Sequence, residues 1–248
     1  MIEVRGLKKS FGRTSVLRGV DLDVQTGETL VILGQSGGGK SVLLKVIAGL
    51  LDADGGTVRI DGFSRDALGP DESERAALRF AYLFQGSALF DSLTVGENVT
   101  FALRRFTRKT SDELYAIAEE RLGWVGLRGI QDKKPAELSG GMRKRVGLAR
   151  AIAMDPTYVL YDEPTTGLDP ISSDAIADLI LSLQARLKST SIVVTHDMAL
   201  AFKVGDRLSL LNQGIIHAVA EKEAFRNLND EVVQQFIHGR AKGPIQFL

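Results

Sequence analysis

The sequence predicts an α/β fold with a mainly parallel sheet core, an antiparallel β subdomain ahead of it and an inserted helical subdomain. Three observations carry this prediction. Residues 29–33 (Thr-Leu-Val-Ile-Leu) are a short apolar run that leads into a glycine loop and then a helical pattern, which is the order of a parallel α/β unit. Two later runs of the same kind, Tyr158–Tyr161 and Ser191–Thr195, also end abruptly in polar residues. Residues of about 87–137 change character and take helical periodicity instead.

Taken in order, Ile2–Leu30 alternates apolar and polar residues, as antiparallel strands do, with Gly19 and Gly27 expected at turns. Gly34 to Ser41 reads Gly-Gln-Ser-Gly-Gly-Gly-Lys-Ser and fits G-x-x-x-x-G-K-[ST], and Val42–Leu50 continues with helical spacing. Strand, glycine loop and helix together make this a phosphate-binding P-loop. Glycines such as Gly34, Gly37, Gly38 and Gly39 let backbone N–H groups turn toward an anion. Gln35, Ser36 and Val42 complete the loop and the first turn, and the helix N-terminus adds its positive end. Lys40 is expected to reach terminal phosphates and Ser41 to hold Mg²⁺.

Thr57–Gly62 predicts a further strand and turn. Phe80–Phe84 is strand-like and ends at Gln85, a neutral amide that could ligate Mg²⁺ or a water. Val95–Phe106 and Ser111–Leu122 read as helices, the second started by Ser111-Asp-Glu. Leu138-Ser-Gly-Gly-Met142 is a second glycine turn, followed by a helix over Met142–Ala151. Arg143–Arg145 stand against the dipole of that helix, so they are either a solvated face or contacts to a partner or to phosphates. Tyr158–Tyr161 ends in Asp162-Glu163-Pro164, which puts two carboxylates at the ligand edge of an open sheet. Asp162 suits Mg²⁺, and Glu163 can orient or deprotonate an attacking water. Ile171–Leu187 is an amphipathic helix that covers the sheet. Ser191–Thr195 ends in His196, placed to sense a γ-phosphate, and Asn212-Gln-Gly214 turns a hairpin between Arg207–Leu211 and Ile215–Val219.

Composition narrows the classes. A chain of 248 residues can bury a substantial core. Its 31 Lys+Arg balance 31 Asp+Glu, so the basic footprint of a nucleic-acid binder is missing. Cysteine is absent, which excludes a disulfide framework or thiolate metal site and is compatible with a reducing cytosol. No run approaches a membrane span and no signal pattern opens the chain, so the protein is not expected to form a path through a bilayer itself. Arg104–Lys109 is the densest basic run, read either as a solvated loop or as a contact to lipid headgroups or an acidic partner.

In this order the motifs resemble the nucleotide-binding subunit of an ATP-binding-cassette (ABC) protein, over roughly residues 1–226. The resemblance implies that Phe11 stacks on adenine and that residues 34–41 are the Walker A loop. Gln85 is then the Q-loop, Leu138–Met142 the signature and Tyr158–Glu163 Walker B. Thr166–Asp169 becomes the D-loop and His196 the switch histidine. It further implies ATP with Mg²⁺, a helical subdomain inserted at about 87–150, and a head-to-tail homodimer. In that dimer Ser139, Gly140 and Gly141 meet the γ-phosphate held by the partner copy. Asp169, Lys40, Gln85, Glu163 and His196 complete the site.

Met142 departs from the Gln most members carry. Leu-Ser-Gly-Gly-Met is similar to the signature of ATPases in Mla/Mce-type lipid transporters, as are Gln85-Gly-Ser-Ala-Leu-Phe90 and the tail Gln235-Phe-Ile-His-Gly239 … Gly243-Pro-Ile-Gln-Phe247. By this resemblance the chain is the ATP-hydrolysing motor for phospholipid or other hydrophobic molecules, peripheral on the cytoplasmic face of the inner membrane. Its implied partners are integral membrane permease subunits and a lipid-binding MCE-type subunit. The alternatives are a small-solute importer ATPase and a regulatory or cell-division ABC ATPase. Residues 227–248 form a tail that could contact the partner ATPase, and apolar Ile245, Phe247 and Leu248 argue against a fully solvated end.

Overall fold

The computed structural model describes residues 1–65 and 69–246, so Phe247 and Leu248 lie outside the described residues. Along the chain run β1 (Ile2–Phe11), β2 (Thr14–Val24), β3 (Thr29–Leu33), α1 (Lys40–Ala48), β4 (Gly55–Ile60), β5 (Phe63–Ser64), α2 (Pro70–Ala77) and β6 (Phe80–Leu83). Then come α3 (Val95–Phe106), α4 (Ser111–Trp124), α5 (Gly140–Ala151), β7 (Tyr158–Asp162) and α6 (Pro170–Leu187). The chain closes with β8 (Thr190–Thr195), α7 (Met198–Val204), β9 (Arg207–Asn212), β10 (Ile215–Glu221), α8 (Lys222–Arg226) and α9 (Glu231–Ile237). Two compact units result: Met1–Ser73 with Thr190–Leu248, and Glu74–Ser189.

The first unit holds two sheets. β2-β1-β4-β5 is antiparallel, and its strands alternate buried and exposed residues because only one face is covered. Gly19 is not at a turn. The register passes from Leu7↔Val20 to Lys8↔Arg18, which leaves Gly19 unpaired as a bulge with φ 109° while both strands continue. A glycine inside an alternating run reads equally as a turn or a bulge, and pairing decided it. Gly27 does lie in the turn before β3. In the second sheet β3 pairs in parallel with both β8 and β9, and β10 closes antiparallel on β9. Every residue of β3 and β8 is buried, as strands covered on both faces require.

The second unit pairs β6 and β7 in parallel, from Phe80↔Tyr158 to Leu83↔Tyr161. α3, α4 and α5 pack together over Val99, Leu103, Leu114, Ala118, Leu122 and Val146. Both α3 and α4 begin with a capping box. For α4 the cap is Thr110 rather than Ser111: its Oγ1 accepts from the Glu113 N–H at 3.3 Å, and its own N–H donates to the Glu113 carboxylate at 2.6 Å. α5 starts at Gly140, two residues before the expected Met142, because Ser139 caps it. α6 buries Ile176, Ala177, Ile180 and Leu183, the stripe of an amphipathic helix.

The described part of the tail packs on its own unit. The Gln235 side chain accepts from the Ile245 N–H at 2.7 Å and donates to the Ile245 carbonyl at 3.0 Å, and Ile245 is 6% exposed.

Candidate functional site

In the first unit the site grows from the end of β3. Two glycines there are sterically required. A Cβ at Gly34 would stand 2.6 Å from the Leu211 carbonyl oxygen. Gly39 has φ 95°, and a Cβ on it would meet Val16 Cγ1 at 2.9 Å. The loop closes on itself where the Gly38 N–H donates to the Gln35 carbonyl at 3.0 Å. Lys40 is buried, and its Nζ donates to the carbonyls of Gly34 and Gln35 at 2.8 and 3.0 Å. The ammonium is thus folded back over the loop. α1 has no side-chain cap and no acidic residue in its first turn, so the helix itself supplies no carboxylate to its N-terminal N–H groups. Ser41 and Val42, half-buried, stand on that first turn, while Ser36 and Gly37 are exposed at the loop tip. Parallel pairing of Leu33 with Thr195 sets Gly34 and His196 side by side beyond their strands. Phe11 ends β1, 49% exposed, with Lys9 Nζ 5.6 Å from its ring centre.

In the second unit the pairing Leu83↔Tyr161 brings the residues after β6 next to the tip of β7, so Gln85 and the Asp162-Glu163 pair share one edge. Gln85 is exposed, whereas Asp162 and Glu163 are 4% and 7% exposed. The Tyr82 hydroxyl donates to Asp162 Oδ2 at 2.9 Å. Burial, and then the Asp162 charge, raise that phenol well above its ordinary value. Glu163 has a left-handed backbone, φ 48°, and its Oε2 accepts from the Thr166 hydroxyl at 3.3 Å. Asp169 caps α6, and its carboxyl is held below the usual range first by the Ser172 hydroxyl, then by the Ser172 N–H.

The second glycine turn lies at the start of α5. Ser139 Oγ accepts from the Met142 N–H at 3.2 Å, and beyond the chain neighbours and the backbone of the helix itself nothing lies within 4 Å of where a Cβ would stand on Gly140 or Gly141. The basic residues that follow are not a simple solvated face. Arg143 donates to the Leu138 carbonyl at 2.6 Å, Arg145 to Val125 at 3.4 Å, and buried Lys144 to Gln85 at 3.3 Å. Burial holds the Lys144 ammonium below its ordinary value, opposed only in part by the Glu163 charge. Further along α5, Arg150 donates to the carbonyls of Ser87 and Ala88, both at 2.7 Å. Tyr82 and Arg150 carry no sequence signal, being ordinary residues of a strand and a helix, and for Lys144 the sequence shows the charge but not its carbonyl partner; only the β6–β7 register and the docking of α5 give the three their neighbours.

The residues fit a magnesium nucleotide. The loop's backbone runs so close to Leu211 and Val16 that Gly34 and Gly39 leave no room for a Cβ, which holds the glycine loop at the start of α1. The hydroxyl of Ser41, the amide oxygen of Gln85 and the carboxylate of Asp162 are hard oxygen donors of the kind Mg²⁺ takes. Among the described residues no group of three or more His, Asp or Glu could hold a metal ion.

Residues 17–166 match the model of the ABC transporter family, and the chain belongs to that family as an ATP-hydrolysing, ATP-binding subunit. The chain is 41% identical over 244 residues (98% of this chain, 70% of the relative) to the probable ribonucleotide transport ATP-binding protein mkl of Mycobacterium leprae. It is 37% identical over 247 residues (100% of this chain, 94% of the relative) to the intermembrane phospholipid transport system ATP-binding protein MlaF of Haemophilus influenzae. A solved dimer of the ATP-binding cassette MJ0796, in a post-hydrolysis state with ADP and Pi, superposes with a TM-score of 0.82 at 32% identity, covering 90% of this chain and 99% of that one. Among the described residues no helix is long and apolar enough to cross a membrane.

Proposed function

We propose that the chain is the motor of a lipid transporter: ATP binding closes a homodimer, hydrolysis reopens it, and the cycle drives a membrane permease that moves phospholipid or a similar hydrophobic molecule between membranes. One observation carries the choice of cargo. The alignment with the phospholipid-transport relative takes in the whole chain and nearly all of that protein, tail included. Met142, the Ala88-Leu-Phe90 stretch and the tail support the same branch. The body of the cassette is 1–226, with the helical part inserted at about 87–150, and the tail is 227–248. The place of action is the cytoplasmic face of the inner membrane, with an MCE-type lipid-binding subunit in the same complex and no nucleic acid.

In this reading Gly34–Val42 wrap the phosphates, Lys40 neutralises their terminal charge and Phe11 stacks on adenine. Ser41, Gln85 and Asp162 hold Mg²⁺, which when bound neutralises phosphate oxygens. Glu163 takes the proton of the attacking water, and His196 steadies the γ-phosphate. Ser139, Gly140 and Gly141 of the partner copy close the site with a hydroxyl and open N–H groups, and Asp169 lies in the loop that meets the partner. In the second unit the exposed rings of Phe90 and Phe101 lie 4.6 Å apart and offer an apolar seat for a permease helix.

The test is to tag the protein, extract membranes in mild detergent and identify what co-purifies. A multi-span permease with a lipid-binding subunit and bound phospholipid supports the reading. A permease with a receptor for nucleotides or another small solute keeps the motor and overturns the lipid cargo. Recovery of nucleic-acid machinery alone overturns transport.

A further inference from the structure

The residue with the best-defined unassigned job is Tyr82. It stands on β6 and pairs with Leu160 of β7. Side chains two apart on a strand share a face, so Leu160 and Asp162 point the same way, and a phenol registered on Leu160 can reach along the strand to the carboxylate. It does so: the hydroxyl donates to Asp162 Oδ2 at 2.9 Å. The ring also packs, tilted by 38° with centroids 4.4 Å apart, against Phe84, the residue before Gln85. Tyr82 is half-buried and Asp162 is buried, so the bond is sheltered from competing water. Phenylalanine would fill the same space, so packing alone does not call for the hydroxyl.

We propose that Tyr82 is a positioning residue for Mg²⁺: its hydroxyl fixes one oxygen of Asp162, sets the rotamer of the carboxylate and so presents it to the ion. The bond also joins the strand that leads into Gln85 to the carboxylate tip. This rests on the reading of Asp162 as a Mg²⁺ ligand. Loss of such an outer partner typically weakens a metal site by about 10–100-fold.

The test uses the full chain and a fluorescent ATP analogue, titrated with Mg²⁺ and separately in EDTA. Tyr82→Phe is expected to raise the Mg²⁺ concentration needed for tight nucleotide binding by about 10-fold while binding in EDTA stays as in wild type. Tyr82→Met, a second variant without a hydroxyl, should behave alike if both melt near the wild-type temperature. Turnover at saturating Mg²⁺ should recover toward wild type in both. An unchanged Mg²⁺ dependence in Tyr82→Phe, with Asp162→Asn strongly impaired, overturns the role of Tyr82 and leaves the Asp162 reading intact. An unchanged dependence in Asp162→Asn overturns both. A loss of nucleotide binding in EDTA as large as in Mg²⁺ would mean that Tyr82 acts only through packing, and also overturns the proposal.

Discussion

Glu163 stands one residue past β7, nearly buried, with a backbone conformation that L-residues avoid. A left-handed non-glycine residue costs roughly 1–2 kcal/mol, and such strain concentrates where a side chain must be aimed. That is the setting expected of a base pointed at a reacting water. Glu163→Gln keeps the volume and removes the base, so turnover should fall by about 10²–10⁴-fold while ATP binding persists. Gel filtration with ATP should then show a trapped dimer, and rapid turnover by this variant would remove Glu163 from the role. Lys40 predicts a different signature. Its ammonium is folded onto the loop carbonyls, and losing a charged hydrogen-bond donor costs about 1.5–3 kcal/mol. Lys40→Ala should therefore weaken equilibrium ATP binding by about 10–100-fold, since 1.4 kcal/mol is a factor of ten. Wild-type affinity would show that the cradle is misassigned.

Among the elements, the helical part depends on its caps. Thr94 and Glu97 cap α3 reciprocally, as Thr110 and Glu113 cap α4. Thr94→Ala should cost about 1 kcal/mol, read as a lower melting temperature. The same boxes make the helices acid-sensitive. The Thr94 N–H holds the Glu97 carboxyl below its ordinary 4.5, and the Thr110 N–H does the same for Glu113. A carboxyl lowered in the folded state adds stability that is complete above its unfolded value and is lost as pH falls through the folded one. Helix content lost on going from pH 6 to pH 3 should therefore be reduced in Glu97→Gln/Glu113→Gln, whose caps no longer titrate. α5 carries a second dependence. Arg150 clamps two carbonyls where Ser87 and Ala88 both take positive φ. Arg150→Met should destabilise by about 1–3 kcal/mol, because sheltered carbonyls lose their donor.

At the scale of the whole molecule, the tail separates two roles. Ile245 is buried and clasped by Gln235, so truncation after Arg240 removes both that apolar burial and the partner of a buried amide. Thermal melting should reveal a loss of about 1.5–3 kcal/mol for the isoleucine alone. If the tail also contacts the partner ATPase, the truncated chain will need higher protein concentration for ATP-dependent dimerisation and coupled activity. Unchanged dimerisation beside a lower melting temperature would confine the tail to its own unit.

The sequence by itself determined the main strands, the glycine loop after β3, the Asp162-Glu163 tip and the helices α3 and α4. Each of these is a local matter of periodicity, glycine spacing or a strand followed at once by polar residues. It also located the hairpin at Asn212-Gln-Gly214, where β9 and β10 pair across the turn. It misplaced what depends on pairing or on one hydrogen bond. Gly19 became a bulge, Thr110 displaced Ser111 as a cap, and Ser139 pulled the start of α5 back to Gly140. Tertiary structure alone decided that Arg143, Lys144 and Arg145 serve carbonyls of their own unit, that Tyr82 holds Asp162, and that Ile245 is buried. The physical reason is the same each time. A motif is short and contiguous, so its chemistry is written in neighbouring letters. A side chain's partner is set by strand register and helix docking, which join residues far apart in the chain.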